Sequence, residues 1–297
     1  MNKYFLSLFL IFSPAIIFSP PTEAGEKPAA SSTCCFNNFP FDQDFLLKNG
    51  EAETTRPPAP KITHPLPFQA GESLFYEVSF EKLIFSGKVG EMTLKTEPTA
   101  NANTLQLKGE IVSKGFLTSL FKLNFEQTLS SLISTEDLSV IEAVKLIDDG
   151  KTRKQHTMKI DREKGRLKYV FKNLSEPDFA PQEKESTSPV WVQDILSIFY
   201  FTRTQELKEG TTLSFPVCDE GRIRNIEVLI GKREEVKVDA GKFKAIMIEA
   251  KIFGGLFLRR SGEMYIWFSD DARKLPVKTK LKLSNGTVNI ELRKIQG

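Results

Sequence analysis

The sequence predicts a mainly β fold: a single curved antiparallel sheet, or a partly closed β-barrel or half-barrel, with one packed amphipathic helix. Apolar residues recur at every second position through most of residues 66–292, which is the period of a strand. Gly-containing turn pairs separate these runs at short intervals, and only one long stretch has helical spacing. Closely spaced hairpins without alternating helices favour a meander that curves into a barrel-like sheet.

The N-terminus has the pattern of a secretory signal peptide. Lys3 precedes an apolar run from Tyr4 to Phe18, which is shorter than the roughly 20 residues needed to span a bilayer. Thr22-Glu23-Ala24 then supplies the small-x-small pattern that signal peptidase reads. Residues 1–24 are therefore predicted to be a cleaved signal peptide, with an uncleaved anchor as the alternative. No transmembrane segment is expected after its removal.

Two further regions follow the signal. Residues 25–64 are rich in Pro, Ala, Ser, Thr and Glu, a composition that buries too little apolar surface to fold. They are predicted to be a Pro-rich flexible tether, and residues 65–297 a single antiparallel β-rich domain. Four phenylalanines at positions 36, 39, 41 and 45 interrupt the tether. This patch either docks on the domain or stays exposed.

The strand pattern is clearest near the C-terminus. Val277, Thr279, Leu281 and Leu283 alternate there with three lysines, as expected when one face of a sheet is buried and the other is wet. Asn285-Gly286 follows at once and is the strongest hairpin signal in the chain. An antiparallel hairpin is therefore expected at this position.

One helix and one helical turn are predicted. Pro189 suits a first helical position, and apolar residues recur at helical spacing over about 190–204. This segment is expected to form the amphipathic helix that packs on the sheet. A shorter helical turn is expected near 116–121, after Gly115. Both segments could line the mouth of a cavity.

The charged residues give no stripe for nucleic acid. The formal net charge is +3, and lysines alternate with carboxylates along the chain, which indicates a solvated surface. No nucleic-acid partner is therefore expected.

The sequence is poor in catalytic groups. His64 lies in the tether and His156 on a hairpin arm rich in lysine, where an exposed surface histidine is the expected role. Nothing suggests a nucleotide-binding glycine loop or a zinc site, so the sequence predicts no enzyme, no metal and no cofactor.

Carboxylate pairs are the remaining route to catalysis, because a glycosidase needs only two carboxyl groups. Asp148-Asp149 and Asp270-Asp271 both occur where Asp favours a turn by bonding to its own backbone. Asp194 is expected inside the helix near its N-terminus, where a negative charge is favourable. We therefore expect these carboxylates to have structural roles.

Three cysteines leave alternatives open. In an oxidising compartment, Cys34 or Cys35 could form a disulfide with Cys218, but the first two lie in the tether and adjacent cysteines pair only with strain. Lipidation of Cys34 is a further alternative. Against it, residues 31–33 lack the aliphatic residue expected before a lipidated cysteine.

The aromatic content is the most unusual feature of the composition, with 24 phenylalanines in 297 residues. A sheet of this size needs a core, so core packing is the ordinary role. The alternative is that some aromatics line a cavity for an acyl chain or another amphipathic ligand. The candidate lining residues are Phe116, Phe121, Phe199 and Trp267.

Two stretches carry a family resemblance: Asp194-Ile195-Leu196-Ser197-Ile198-Phe199-Tyr200 with Arg203, and, most specifically, Ile266-Trp267-Phe268-Ser269-Asp270-Asp271-Ala272-Arg273-Lys274-Leu275-Pro276-Val277. With further stretches they resemble an uncharacterised family of exported bacterial proteins, domain-of-unknown-function family 3108. The resemblance covers nearly all of residues 66–293 in order. It implies an exported β-rich domain and assigns no activity. Its plan is similar to that of periplasmic lipoprotein carriers, an analogy at the level of the fold alone.

These observations lead to three functional hypotheses. The first is a non-catalytic periplasmic or cell-envelope protein that carries a lipid or other amphipathic ligand in the concavity of its sheet. Association with the outer membrane is one alternative for its location. The second is an envelope interaction or assembly protein that contacts partner proteins through a sheet edge or the tether. The third, less favoured, is a carboxylate-dependent glycan hydrolase.

Overall fold

The fold was analysed in a computed structural model of the chain. It describes residues 62, 64–83, 85–115, 118, 124–189, 191–251, 262–283 and 286–297. The predictions for the signal peptide, nearly all of the tether, Cys34, Cys35, all of the helical turn near 116–121 except Thr118, and Asn285 lie outside the described residues. No described helix combines the length and the apolar character that crossing a membrane requires.

The described residues form fourteen strands and one α-helix. In chain order the elements are β1 (Ser73–Lys82), β2 (Phe85–Pro98), β3 (Thr104–Ser113), β4 (Glu126–Ser134), β5 (Val140–Asp148), β6 (Arg153–Asp161), β7 (Arg166–Asn173), β8 (Gln182–Thr187), α1 (Ser197–Arg203), β9 (Thr212–Asp219), β10 (Arg222–Val238), β11 (Gly241–Lys251), β12 (Glu263–Ser269), β13 (Pro276–Leu283) and β14 (Gly286–Gln296).

All fourteen strands belong to one antiparallel sheet in the order β8-β7-β6-β5-β4-β3-β2-β1-β14-β13-β12-β11-β10-β9. Strands that follow each other in sequence are neighbours, except β8 and β9, which are the two edges. The first and last strands pair at the centre, so that Val78 lies opposite Ile290. The prediction of a mainly β, barrel-like antiparallel sheet is confirmed, and the sheet is not closed.

Alternation of side chains explains why these segments are strands. In β1 every second residue from Leu74 to Phe80 is buried, and the residues between them are only partly covered. In β13 the buried Val277, Thr279 and Leu281 alternate with lysines, as the sequence predicts. We call the face that bears Leu74 and its buried neighbours on the other strands the inner face.

The connection between the two edge strands covers the inner face. We call residues 191–205 the strap, because they connect one edge of the sheet to the other and nearly all of them are buried. Its first part pairs with β9: the Gln193 N–H donates to the Pro216 carbonyl (2.9 Å), and the Cys218 N–H donates to the Gln193 carbonyl (2.7 Å). The strap therefore adds a strand-like partner to an edge that would otherwise be open.

The helix is shorter than predicted. Helical spacing predicts a helix over about 190–204, whereas α1 covers only Ser197–Arg203. The preceding residues pair with β9, and the Asp194 carboxylate accepts the N–H groups of Leu196 (2.9 Å) and Ser197 (2.6 Å). Asp194 thus lies before the helix, and its side chain satisfies N–H groups at the helix N-terminus. Its predicted place inside the helix is wrong.

Candidate functional site

A row of inner-face residues changes from apolar to polar as it crosses the sheet. Register places each member directly opposite the next, on successive strands from β2 to β6. We call this set the inner row; its members in order are Leu94, Gly109, Leu129, Lys145 and His156. Adjacent strands are about 4.8 Å apart, so the apolar and polar ends are separated by only a few strand spacings.

An apolar pocket lies between the first half of the inner row and the strap. Gly109 is the reason for the space: a Cβ atom there would lie 3.3 Å from Leu196 Cδ1 and 3.5 Å from the Leu129 Cβ. The free volume is about 20 Å³, enough for a water-sized group. The pocket is lined by Tyr76, Met92, Leu94, Gly109, Ile111, Leu129, Ile195, Leu196, Phe199, Met264, Pro276, Thr279 and Ile290.

A polar pocket lies beside it, at the other half of the inner row. Its free volume is about 40 Å³. Both pockets are lined by Leu129, Ile195 and Leu196, so these three side chains separate them. The polar side chains of the second pocket come from β4, β5, β6, β7, the strap, β9 and the β9–β10 turn; they are Ser130, Ser131, Lys145, His156, Thr157, Tyr169, Asp194, Cys218, Asp219 and Glu220.

The ammonium of Lys145 is the centre of the polar pocket. Its Nζ donates to Asp219 Oδ1 (2.7 Å) and to Glu220 Oε1 (2.9 Å). Burial alone would lower the pKa of Lys145, but the charges of the two carboxylates outweigh burial and raise it. Burial and the charge of Glu220 raise the pKa of Asp219, although Lys145 opposes this. Lys145 therefore stays charged and joins β5 to the turn at the far edge.

His156 is buried beside this ion pair. Its Nδ1 is 2.8 Å from the Tyr169 hydroxyl, and its Nε2 has no hydrogen-bond partner. Burial, with the charge of Lys145, lowers the pKa of His156 to about 4, so the imidazole is neutral at pH 7. The expectation of an exposed surface histidine is wrong, because the side chain is only 5 % exposed.

The strap contributes a carboxylate to the polar pocket, and β9 contributes a thiol. Asp194 accepts the Ser131 hydroxyl at Oδ2, in addition to the backbone groups that start α1. Cys218 is a buried free thiol, and burial raises its pKa to about 12. A thiol with such a pKa is not a nucleophile at pH 7.

The predicted cavity residues have different positions. Phe199 lines the apolar pocket. Phe116 and Phe121 lie outside the described residues. Trp267 is on the opposite face of β12 from the pocket residue Met264, and its Nε1 donates to a Glu234 carboxylate oxygen. The structure thus places Phe199 at a pocket and Trp267 away from both.

Three of the four paired aspartates, Asp148, Asp149 and Asp271, bond to their own turns as the sequence predicts, whereas Asp270 pairs with Arg233. Asp149 Oδ1 accepts the N–H groups of Lys151 (3.0 Å) and Thr152 (2.7 Å). Asp271 Oδ1 accepts those of Arg273 (2.9 Å) and Lys274 (3.1 Å). In the part of the chain that the structure describes, no group of three His, Cys, Asp or Glu side chains is arranged to hold a metal ion.

The sequence analysis missed the polar pocket, although one signal was present. His156 shares its strand face with Met158 and Ile160, both of which are buried, and the alternation in β6 is visible in the sequence. No comparable local signal connects Lys145 to Asp219, because 74 residues separate them.

The fold and the apolar and polar pockets found among its described residues define a β-barrel-like protein whose sheet is crossed by an internal strap. The family model for proteins of unknown function DUF3108 matches residues 76–293, and the chain belongs to this family. This confirms the resemblance seen in the sequence. No curated protein matches the chain.

A solved structure agrees with this type of fold. A β-barrel-like protein of the domain of unknown function DUF1849 from Brucella abortus has a TM-score of 0.53 and 12% identity, covering 76% of this chain and 97% of that chain.

Two further structures have lower scores. A candidate exported protein with a YmcC-like fold from Bacteroides fragilis has a TM-score of 0.33 and 7% identity, covering 78% of this chain and 98% of that chain. A candidate lipoprotein from Parabacteroides distasonis has a TM-score of 0.30 and 9% identity, covering 77% of this chain and 96% of that chain.

Proposed function

We propose that this protein is a non-catalytic, exported protein of the cell envelope that holds an apolar or amphipathic ligand between the strap and the inner face of its sheet. One observation supports this most directly. Gly109 takes the place of a side chain in the middle of an apolar inner face, and so leaves an apolar pocket under Leu196.

The walls of the pocket suit a flexible apolar ligand. Met92 and Met264 are on opposite sides of the sheet centre and both line the pocket. Methionine has three rotatable bonds and a polarisable sulfur, so it adapts to ligands of different shape. Phe199, on the strap, is only partly buried and forms part of the same wall.

A ligand whose apolar chain is larger than a water-sized group fits the pocket only when the strap moves outward. Three buried polar atoms of the strap lack hydrogen-bond partners, namely Trp191 Nε1, Gln193 Oε1 and Tyr200 Oη. Such atoms destabilise the closed arrangement, because each forgoes the hydrogen bond it would make to water. We infer that displacing the strap costs less than its burial alone suggests.

The cellular location and the lack of catalysis rest on separate arguments. Export follows from the signal-like residues 1–24. A binding role fits better than hydrolysis. Asp149 and Asp271 bond to their own turns, and the pocket carboxylates of Asp219 and Glu220 are both engaged by Lys145.

Titration with a fluorescent apolar probe tests the proposal. N-phenyl-1-naphthylamine is uncharged and gains fluorescence in apolar surroundings, so protein purified from cells is titrated with it. Gly109→Val fills the pocket and is expected to weaken binding about tenfold or more, which corresponds to about 1.4 kcal/mol. Native mass spectrometry with organic extraction then identifies any ligand that the cell supplies.

The matched control is Glu110→Val, which adds the same side chain to the neighbouring, exposed position of β3. It is expected to bind the probe as the unmodified protein does. Equal affinity of all three proteins, or no binding by any of them, would overturn the proposal. Circular dichroism and urea unfolding establish that Gly109→Val remains folded.

A further inference from the structure

The polar pocket contains more negative than positive charge. Three carboxylates line it, from Asp194, Asp219 and Glu220, whereas Lys145 is its one cationic side chain among the lining residues. Lys145 is shared between Asp219 and Glu220, and the neutral imidazole of His156 adds no charge. A small cation would therefore be attracted to this pocket, and an anion repelled.

A second observation indicates a missing hydrogen-bond partner. His156 Nε2 is buried, lies on a side chain that lines the pocket, and has no partner. Buried polar atoms without partners are rare in folded proteins and call for an unseen water or ligand. If Nδ1 donates to the Tyr169 oxygen 2.8 Å away, Nε2 is an acceptor and can receive a hydrogen bond from a donor group.

The two pockets share one wall, formed by Leu129, Ile195 and Leu196. The inner row joins them, because Gly109 pairs with Leu129, and Leu129 with Lys145. A single ligand that extends along the row would place its apolar part beside Gly109 and its end group beside Lys145 and His156.

We propose that the polar pocket binds the primary ammonium group of an amphipathic amine whose apolar chain occupies the neighbouring pocket. This inference rests on the proposed function, since the apolar chain of the amine would occupy the apolar pocket. The ammonium donates to His156 Nε2 and to the carboxylates of Asp219 and Glu220, which Lys145 alone does not neutralise.

Size and hydrogen bonding favour a primary ammonium over other end groups. The polar pocket, at about 40 Å³, holds about three or four water-sized groups, since a water needs about 10–15 Å³. A primary ammonium is of this size and has three donors. A quaternary ammonium is larger and has none, whereas a carboxylate or phosphate would meet the excess negative charge. Although burial would lower the pKa of Lys145, the charges of Asp219 and Glu220 raise it, which agrees with negative charge concentrated around the ammonium.

The test compares end groups on one chain length. Dodecylamine, dodecyltrimethylammonium, dodecanol and dodecanoate, below their micelle concentrations at pH 7, compete with N-phenyl-1-naphthylamine for the full protein. Dodecylamine is expected to displace the probe at least about tenfold more effectively than the other three. Glu220→Gln is expected to reduce this advantage severalfold and leave dodecanol unchanged.

Glu97→Gln is the matched control: it makes the same charge change on an exposed side chain paired with Lys108. It is expected to keep the full preference for the amine. If no amphiphile competes, the proposed function fails. If all four compete equally, if dodecanoate is preferred, or if the quaternary amine equals the primary amine, the apolar site survives and the ammonium assignment is overturned.

Discussion

The guanidinium of Arg203 connects three separate parts of the fold at the end of α1. It donates to both oxygens of Glu72 (2.6 and 2.8 Å), to the Pro67 carbonyl (3.0 Å) and to the Arg273 carbonyl (3.0 Å). It also lies 5.0 Å from the centre of the Phe68 ring. Arg203 therefore fixes the end of the strap to the start of β1 and to the β12–β13 loop.

Removing Arg203 should destabilise the protein strongly. Arg203→Met leaves the Glu72 carboxylate buried without a cation, and breaking a buried pair costs about 3–5 kcal/mol. The free energy of unfolding in urea measures this loss. Arg233→Met, which breaks the exposed pair with Asp270, is the control and should cost less than about 1 kcal/mol. Similar losses in both variants would contradict the assigned role of Arg203.

His156 makes stability depend on pH. Its pKa is lowered from 6.5 to about 4 on folding, so between these values the unfolded chain binds a proton that the folded chain does not. The contribution of His156 to the free energy of unfolding is therefore fully present above about pH 6.5. It is lost as the pH falls towards 4, by about 3 kcal/mol in total.

Urea unfolding of the unmodified protein and of His156→Gln at pH 7 and pH 4 measures this contribution. The unmodified protein should lose about 3 kcal/mol more than the variant over this interval. Equal losses would show that His156 has an ordinary pKa in the folded state. Proton NMR of a His64→Gln protein, in which His156 is the sole histidine, reports the same pKa directly.

At the scale of elements, the β9–β10 turn forms one wall of the polar pocket because the backbone of Gly221 packs closely against the side chain of Tyr169. Gly221 has φ +74°, and a Cβ atom there would lie 2.7 Å from Tyr169 Cγ. Glycine at this position therefore brings Asp219 at the end of β9 and Glu220 of the turn against β5 and β7.

Gly221→Ala should cost more stability than Gly210→Ala. Gly210 has a similar φ of +81° but no atom within 4 Å of its would-be Cβ, so alanine there has only the backbone cost of about 1–2 kcal/mol. Gly221→Ala adds a clash with Tyr169, worth about 1–3 kcal/mol more. Urea midpoints of the two variants test the difference. Equal midpoints would mean that Tyr169 moves aside freely.

The exposed edge strand is a less suitable interaction surface than the pockets. All six residues of β8 are exposed, and three of them, Glu183, Lys184 and Glu185, are charged. Charged side chains on an edge oppose the addition of a strand from another chain. This property weighs against a partner that pairs with β8.

At the scale of the whole molecule, the first strand (β1) and the last strand (β14) lie next to each other in the middle of the sheet. β1 pairs with β14, and a Cβ atom on Gly297 would lie 2.7 Å from the Gly71 carbonyl oxygen. All other strand pairings link strands that follow each other in sequence. The ends can therefore be joined without altering the sheet.

A circular permutant tests this arrangement. A linker of about eight residues joins Gly297 to Leu66, and the chain is opened between Lys164 and Gly165 in the β6–β7 turn. Its free energy of unfolding should stay within about 2 kcal/mol of linear 66–297, because the turn is at the surface.

Opening the chain between the buried Leu196 and Ser197 of the strap instead should abolish cooperative unfolding. Equal stability of the two permutants would contradict the structural role of the strap.

The sequence by itself determined the strands, their inner faces and most turns, because these depend on neighbours in the chain. Val277 to Leu283 and Asp271 show this: alternation and side-chain bonding to the local backbone need no distant partner. The burial of His156 could also have been inferred from its register with Met158 and Ile160.

Only the tertiary structure decided where the strap runs and which charges it encloses. The helical spacing of residues 190–204 indicates an apolar face, but pairing of Gln193 with β9 limits the helix to seven residues. Lys145 meets Asp219 and Glu220 only because the strap and the curvature of the sheet bring β5 to the far edge. Such contacts depend on the path of the whole chain, and no local pattern encodes them.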